Sequence, residues 1–216
     1  MDAALDMLKP TEAAVVASVA LRDVNRAIDE HILPEGFVSH NDGRRVAFTA
    51  CMLISFYVES AERLTAKERT CTIREAGSRL REFRNFDLKF LVEHDWTVRH
   101  DFVTIDLAPF ARRTKERMER LTAAREAVVS DPEILGGTPV LRGTRVPAYD
   151  VAASVEAGIS TDRILAAYPS ITEEWIKLAT IYAAANPPRG RPRSTEEPAT
   201  AGVILDKRVS RRGNSV

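Results

Sequence analysis

The stretch DPEILGGTPVLRGTRVP, residues 131–147, decides how the chain is divided. Asp131-Pro132 favours an extended or turn conformation, Gly136-Gly137 permits positive φ, and Pro139 fixes φ ahead of the apolar pair Val140-Leu141. A second reversal is predicted at Arg142-Gly143, which makes Thr144-Arg145-Val146 the partner of Val140-Leu141 in a small hairpin. Pro147 then opens a helix. Glycine pairs before helices do cradle phosphates, but no Gly-Lys-Ser/Thr comes after this pair and a hairpin separates these glycines from the helix. The stretch therefore reads as a connector that sets the angle between the segments on either side of it. Arg142 and Arg145 stand out as exposed charges available to a partner.

Outward on the C-terminal side, Tyr149, Val151, Ala152 and Val155 make a helix stopped at Gly158, and Ser160-Thr161 start a second that Pro169 ends. Thr172 with Glu173-Glu174 caps a third, in which Trp175, Ile176, Leu178, Ala179, Ile181 and Tyr182 are apolar nearly all round. With YPSITEEWIKLATIYAA at 168–184, this region, roughly Val129 to Ala185, resembles the family known as domain of unknown function 433. Longer chains of that family with an N-terminal helix-turn-helix resemble the VapB-type antitoxins of toxin–antitoxin operons. The third helix carries only Lys177 against two glutamates, a composition suited to packing or to dimerisation through Trp175 and Tyr182 rather than to reading DNA.

At the other end, PTEAAVVA at 10–17 is a short helix broken at Ser18-Val19-Ala20. Leu21, Val24, Ile28 and Ile32 then recur at helical spacing, and Arg22, Asn25 and Arg26 fall on the opposite face. FVSHNDGRRVAF comes next as a hairpin turning at Asn41-Asp42-Gly43, and Thr49 is placed as the cap of a helix from Ala50 to Leu64. Helix, turn, helix, wing, helix resembles the winged helix-turn-helix of MerR- and excisionase-like DNA binders. That resemblance puts Arg22, Asn25 and Arg26 in the major groove and Arg44 and Arg45 on the phosphates. The competing reading is a protein-binding bundle with solvated charges, and Asp23, Asp29 and Glu30 weigh on that side.

The centre is less regular. Ile73, Ala76, Leu80 and Phe83 suggest a helix from about Thr72, and Leu88 to Val92 an apolar segment. TVRHDFVTIDL at 97–107 alternates as a hairpin turning at His100-Asp101, whose Val103 and Ile105 offer a strand edge for dimerisation. Pro109 opens a long basic helix with the stripe Met118, Leu121, Ala124 and Val128. The tetrapeptide ERLT recurs at 62–65 and 119–122, each time after a strand-like run, which leaves open a second winged unit or a chance echo.

Charge is zero overall but uneven. It is −4 over residues 1–65 (6 basic, 10 acidic), +3 over 66–130 (14 and 11), −3 over 131–186 (4 and 7) and +4 over 187–216 (7 and 3). From Pro187 the sequence turns to PPRGRPRSTEEPATAG, which is expected to be disordered. Val203, Ile204 and Leu205 followed by Arg208, Arg211 and Arg212 then offer an apolar patch and a basic one, either a toxin-binding tail or a plain basic tail.

The predicted fold is mainly α with small β hairpins (α+β). It comprises a winged helix-turn-helix at 1–65, a helix and hairpin connector at 66–130, a three-helix, helix-turn-helix-like domain at 131–186 and a linker with basic tail at 187–216. Cys51 and Cys71 are expected to be free thiols, and His31, His40, His94 and His100 lack ligand spacing, so no metal or cofactor is expected. No nucleophile with a base and no phosphate loop is discernible, which argues against an enzyme. No apolar run is long enough to span a bilayer and the N-terminus is acidic, so a cytoplasmic protein without membrane contact is expected. The antitoxin resemblance implies operator DNA, a homodimer and a cognate PIN-like nuclease toxin as partners, with the tail arginines meeting the toxin's acidic site. The alternative is a stand-alone winged-helix regulator dimerised by its C-terminal domain.

Overall fold

A computed structural model describes residues 7–41, 43–82, 88–100 and 102–188. Among these the chain is mainly helical with three small antiparallel sheets, the α+β class that the sequence predicts. The first unit runs β1 (Met7–Leu8), α1 (Pro10–Ala17), α2 (Leu21–Asp29), β2 (Val38–Ser39), β3 (Arg45–Ala47) and α3 (Ala50–Glu59). The turn between α1 and α2 is made by Ser18 in the left-handed region at φ 55°, with the Val19 amide donating to Ala14 O at 3.1 Å. The wing is present, with Val38 opposite Val46 and Ser39 opposite Arg45. A third strand that the sequence does not announce, β1, pairs with the other edge of β3.

The third helix is shorter than expected. It stops at Glu59, and Thr49 does not cap it: Thr49 is itself helical (φ −63°, ψ −30°) and its buried hydroxyl has no hydrogen-bond partner. The cap lies after it instead. Thr65 and Glu68 form a capping box, in which Glu68 accepts from the Thr65 amide at 2.8 Å and the Glu68 amide donates to Thr65 Oγ1 at 3.3 Å. They open α4 (Ala66–Glu82), which begins six residues before Thr72. The first ERLT is thus a turn and cap, whereas the second lies inside a helix, so the two copies do not occupy equivalent places.

Next come α5 (Leu88–Glu93) and the hairpin β4 (Thr97–His100) with β5 (Val103–Asp106), paired from Thr97 opposite Asp106 to His100 opposite Val103. Phe83 and the turn residues Asp42 and Asp101 lie outside the described residues. The long helix α6 (Ala108–Ala127) buries Met118, Leu121 and Ala124 of the predicted stripe, whereas the fourth member, Val128, is buried just past the end of the helix. One apolar cluster runs from Leu8 through Phe56, Trp96 and Val98 to Leu121, so the boundary drawn at residue 65 falls inside a shared core.

A second cluster begins at the end of α6. Val128-Val129, strand β6, pairs antiparallel with Val140-Leu141, strand β7. The predicted hairpin is also present, in short form: Val140 bridges antiparallel to Pro147, the Leu141 amide donates to the Val146 carbonyl at 2.9 Å and the Ala148 amide to the Pro139 carbonyl at 3.0 Å, while the Thr144 amide returns to the Leu141 carbonyl at 3.0 Å and Gly143 sits at φ 74° in the turn. The connector therefore leaves α6, loops through Gly136 (φ 63°) and Gly137 (φ 84°), and comes back to zip onto the point it left. Helices α7 (Ala148–Glu156), α8 (Thr161–Ala167) and α9 (Glu173–Ala185) come after it as expected. Thr172 holds the N-cap position of α9, though without a side-chain hydrogen bond.

The two clusters are sewn together along α9. Its C-terminal carbonyl groups are held by α1 and α7: Thr11 Oγ1 donates to Ala185 O at 2.6 Å and Tyr149 Oη to Asn186 O at 2.7 Å. Ala185 belongs to the first cluster, whereas Ile176 and Ala179 belong to the second. A buried carboxylate reinforces the seam. Glu12, 5% exposed, accepts from the Lys9 amide at 2.8 Å and forms an ion pair with Arg125 of α6, Nη2 to Oε1 at 3.0 Å.

Candidate nucleic-acid interface

Helix α2 buries Val24, Ala27 and Ile28 against α1 and α3, which leaves the face with Arg22, Arg26, Asp29 and Glu30 outward. Leu21, placed in the apolar stripe by its spacing, is 41% exposed; as the first residue of the helix it extends past the core. The Arg22 side chain is 88% exposed and loosely paired to Asp23 at 3.9 Å, whereas Asn25 is half-buried at the edge of this face. Arg26 Nε donates to Glu30 Oε1 at 2.9 Å, and this hydrogen bond and charge hold the guanidinium above its ordinary pKa.

The wing lies beside this helix, with one exposed ion pair between them. Arg44 Nη2 lies 3.0 Å from Asp29 Oδ1, near the last turn of α2. Arg44 is exposed beside the hairpin turn, and Arg45 is half-buried on β3 opposite Ser39. Of the two wing arginines named from sequence, only Arg44 is thus offered outward to any great extent. Arg22, Arg26 and Arg44 share one exposed surface, and each has a carboxylate of the same unit next to it. Exposed pairs of this kind contribute about 0–1 kcal/mol, so exchanging the carboxylate for a phosphate oxygen costs little.

The arginines of the basic helix α6 are largely occupied in packing. Arg113 pairs with Glu59 at 2.9 Å and lies over the Phe110 ring at 4.7 Å. Arg117 donates to Ala17 O at 3.3 Å, and burial together with the neighbouring Arg113 pushes its pKa down. Arg125 is held by Glu12, which leaves Arg112 and Arg120 as the exposed arginines of the helix. Sequence reasoning missed these stitches, because an arginine beside a distant carboxylate leaves no periodic signal.

The remaining named residues are dispersed. Val103 and Ile105 are half-buried on β5, with Ile105 packed on the first core. Trp175 and Tyr182 are half-buried against the second core, Tyr182 with its ring centroid 6.1 Å from that of Tyr149. Arg142 is spent on the connector: its Nε donates to Glu126 O at 2.7 Å and its amide to Ala127 O at 2.8 Å, closing the C-terminus of α6. Arg145 remains exposed. Val203, Ile204, Leu205, Arg208, Arg211 and Arg212 lie outside the described residues.

Cys51 is free and buried, and burial pushes its thiol pKa well up; Cys71 is free and half-buried. No cluster of three potential metal ligands occurs among the described residues, and no described helix is long and apolar enough to cross a membrane.

Comparison with known proteins agrees with the module boundary set by the β6–β7 zip. Residues 128–183 match the family model "Protein of unknown function (DUF433)". The uncharacterized protein y4eO of Sinorhizobium fredii (strain NBRC 101917 / NGR234) is 58% identical over 213 residues, covering 98% of this chain and 96% of that protein. No solved structure matches the chain. Likeness of that extent spans the helix-turn-helix unit as well as the C-terminal module, so the chain belongs to the family of y4eO, with a DUF433 domain at residues 128–183.

Proposed function

We propose that this chain is the antitoxin of a toxin–antitoxin pair, which represses its own operon through α2 and the β2–β3 wing and neutralises a PIN-like ribonuclease through the segment beyond Pro187. The observation that supports the DNA-binding half is the Arg44–Asp29 contact at 3.0 Å, which reports that the wing lies beside the exposed face of α2. A helix inserted in a major groove and a wing on the flanking phosphates require that juxtaposition. In this role Arg22 and Arg26 reach guanine edges, Asn25 an adenine, and Arg44 and Arg45 the backbone. Binding exchanges Glu30 and Asp29 for phosphate or base oxygens. A homodimer across a palindrome, with β5 edges meeting through Val103 and Ile105, completes the reading.

The test is fluorescence anisotropy on the DNA upstream of the chain's own gene, over a salt series. With Arg22, Arg26 and Arg44 all replaced by Ala, the log–log salt slope falls by about 0.9 for each phosphate that is no longer neutralised, and affinity drops by about 1–3 kcal/mol for each base that is no longer read. Unchanged affinity and slope would sink the assignment. The neutralising half is tested separately by co-expression with the adjacent gene product. Truncation after Pro187 is expected to keep operator binding and to release the toxin.

One observation favours a stand-alone regulator. Most of the apolar surface of α9 packs against α1, α6 and α7 of the same chain, so the C-terminal domain has a structural role without any partner. Stoichiometric co-purification of a nuclease separates the two readings.

A further inference from the structure

A cleft of about 560 Å³ opens between the middle of α6, the end of α7, the start of α8 and the length of α9. Its walls are unlike the rest of the surface. Val155 is 37% and Ile159 39% exposed, two of the five large apolar side chains left open among the described residues, and both face this cleft with Ile176 and Ile181. Glu173 and Glu174 stand on its rim at the first turn of α9. Glu173 is engaged by Lys177 at 3.0 Å, whereas Glu174 has no ion-pair partner among the described residues. The other cations on the cleft are Arg120 and Lys177.

We infer that this cleft is the docking site of the chain's own segment Val203-Ile204-Leu205-Asp206-Lys207-Arg208-Val209-Ser210-Arg211-Arg212. The first argument is complementarity of kind. The segment carries three consecutive large apolar residues followed by four cations, and the cleft offers an apolar floor with carboxylates on one rim. Charge agrees on the larger scale, since residues 131–186 carry −3 (4 basic, 7 acidic) and residues 187–216 carry +4 (7 basic, 3 acidic).

The second argument is reach. The described chain leaves from the C-terminal end of α9, the helix that forms one wall of the cleft. At 1.5 Å per residue the cleft side chains of α9 lie about 8–20 Å back from that end. Fourteen residues, 189–202, separate Pro188 from Val203. A coil of that length has a root-mean-square span of about 20 Å. A tether matched to its span gives the greatest effective concentration, on the order of millimolar. A partner that binds residues 203–212 must then displace them from the cleft, so the segment is masked until that partner competes for it. This inference is independent of the toxin and operator assignments.

Hydrogen exchange of the full-length chain, read by mass spectrometry on peptides covering residues 203–210, tests it. With a local dissociation constant of about 0.1 mM against a millimolar effective concentration, these amides exchange about tenfold more slowly than the same peptide free in solution. Ile159→Asp and, separately, Glu174→Lys abolish the protection. Phe102→Ser, which alters the exposed hairpin tip elsewhere, leaves it intact. Free-peptide rates in the wild-type chain overturn the inference, and so does protection that survives both cleft variants. Protection that fades on dilution also overturns it, because the segment is then seated on a second copy. Glu174→Lys changes an exposed residue and keeps the test decisive if Ile159→Asp unfolds.

Discussion

Replacing Gly77 with alanine puts two opposing effects of similar size in one experiment. Gly77 lies inside α4 and is buried. In an open helix the change would stabilise by about 1 kcal/mol, through helix propensity and a less disordered unfolded chain. Here the new Cβ would sit 2.6 Å from Cγ of Pro34, 3.5 Å from its Cδ and 3.6 Å from Cε2 of Phe37. Carbon atoms rest at about 3.5–4.0 Å, so helix and loop must separate by about 1 Å. Neither neighbour yields readily, since the proline is a ring and Phe37 is buried with its carbonyl bonded to the Ala47 amide at 2.9 Å. Overpacking costs about 1–3 kcal/mol, and an overlap of about 1 Å against a ring puts this case in the upper part of that range, about 2–3 kcal/mol, so the clash wins and the net loss is about 1–2 kcal/mol. For a body of this size that lowers the midpoint of thermal unfolding by about 2–8 °C. Calorimetry should find this, with Ser78→Ala as the exposed control. Pro34→Ala in the Gly77→Ala background should recover part of the loss, the signature of a direct contact. A rise in melting temperature for Gly77→Ala alone would refute the reasoning.

The ion pairs and the buried thiol give three further expected outcomes. Glu12→Ala removes a buried acceptor from the Lys9 amide and from Arg125; because Arg125 is about one-third exposed and rehydrates, the loss in urea unfolding is about 1–2 kcal/mol, and Glu12→Gln should retain roughly half. Arg142→Ala uncaps α6, costing about 1 kcal/mol and speeding amide exchange around Val128 and Val129. The Cys51 thiol stays protonated in the folded chain while the unfolded thiol ionises above about pH 8.5, so stability falls with rising pH by up to about 1.4 kcal/mol per unit; the difference between wild type and Cys51→Ala across pH 8–10 isolates this contribution, and an identical pH dependence in both would contradict it.

What could be read from the sequence was what neighbouring residues decide. The α1–turn–α2 unit, the Asn41–Gly43 hairpin and the stripe of α6 are local patterns, and each has its predicted place. Strand β1 is two residues long and exists only because β3 offers a free edge, so Met7-Leu8 has no alternation to announce it. Val128 fits the helical stripe and also serves as a strand residue, which hides the β6–β7 zip. The Thr65–Glu68 box is present in the sequence, but the apolar spacing up to Leu64 draws Thr65 toward the end of the preceding helix. At the candidate interface the positions of Arg22, Arg26 and Arg44 were legible. Their carboxylate partners were less so, because Asp29 meets Arg44 through the fold and not through spacing on one helix. The same holds for α6, whose arginines look like a nucleic-acid stripe until Glu59, Ala17 and Glu12 are seen beside them.

The seam at the end of α9 bears on how the two halves communicate. Thr11 and Tyr149 grip the last carbonyl groups of that helix, and Glu12, one residue further along α1, grips α6. A ligand that rotates the C-terminal domain must therefore either rotate α1 with it or break these bonds. An N-terminal unit joined in this way is a lever with a short arm. If α2 binds a ligand, thermodynamic reciprocity requires that this ligand and a protein favouring one setting of α9 alter each other's affinity by the same factor.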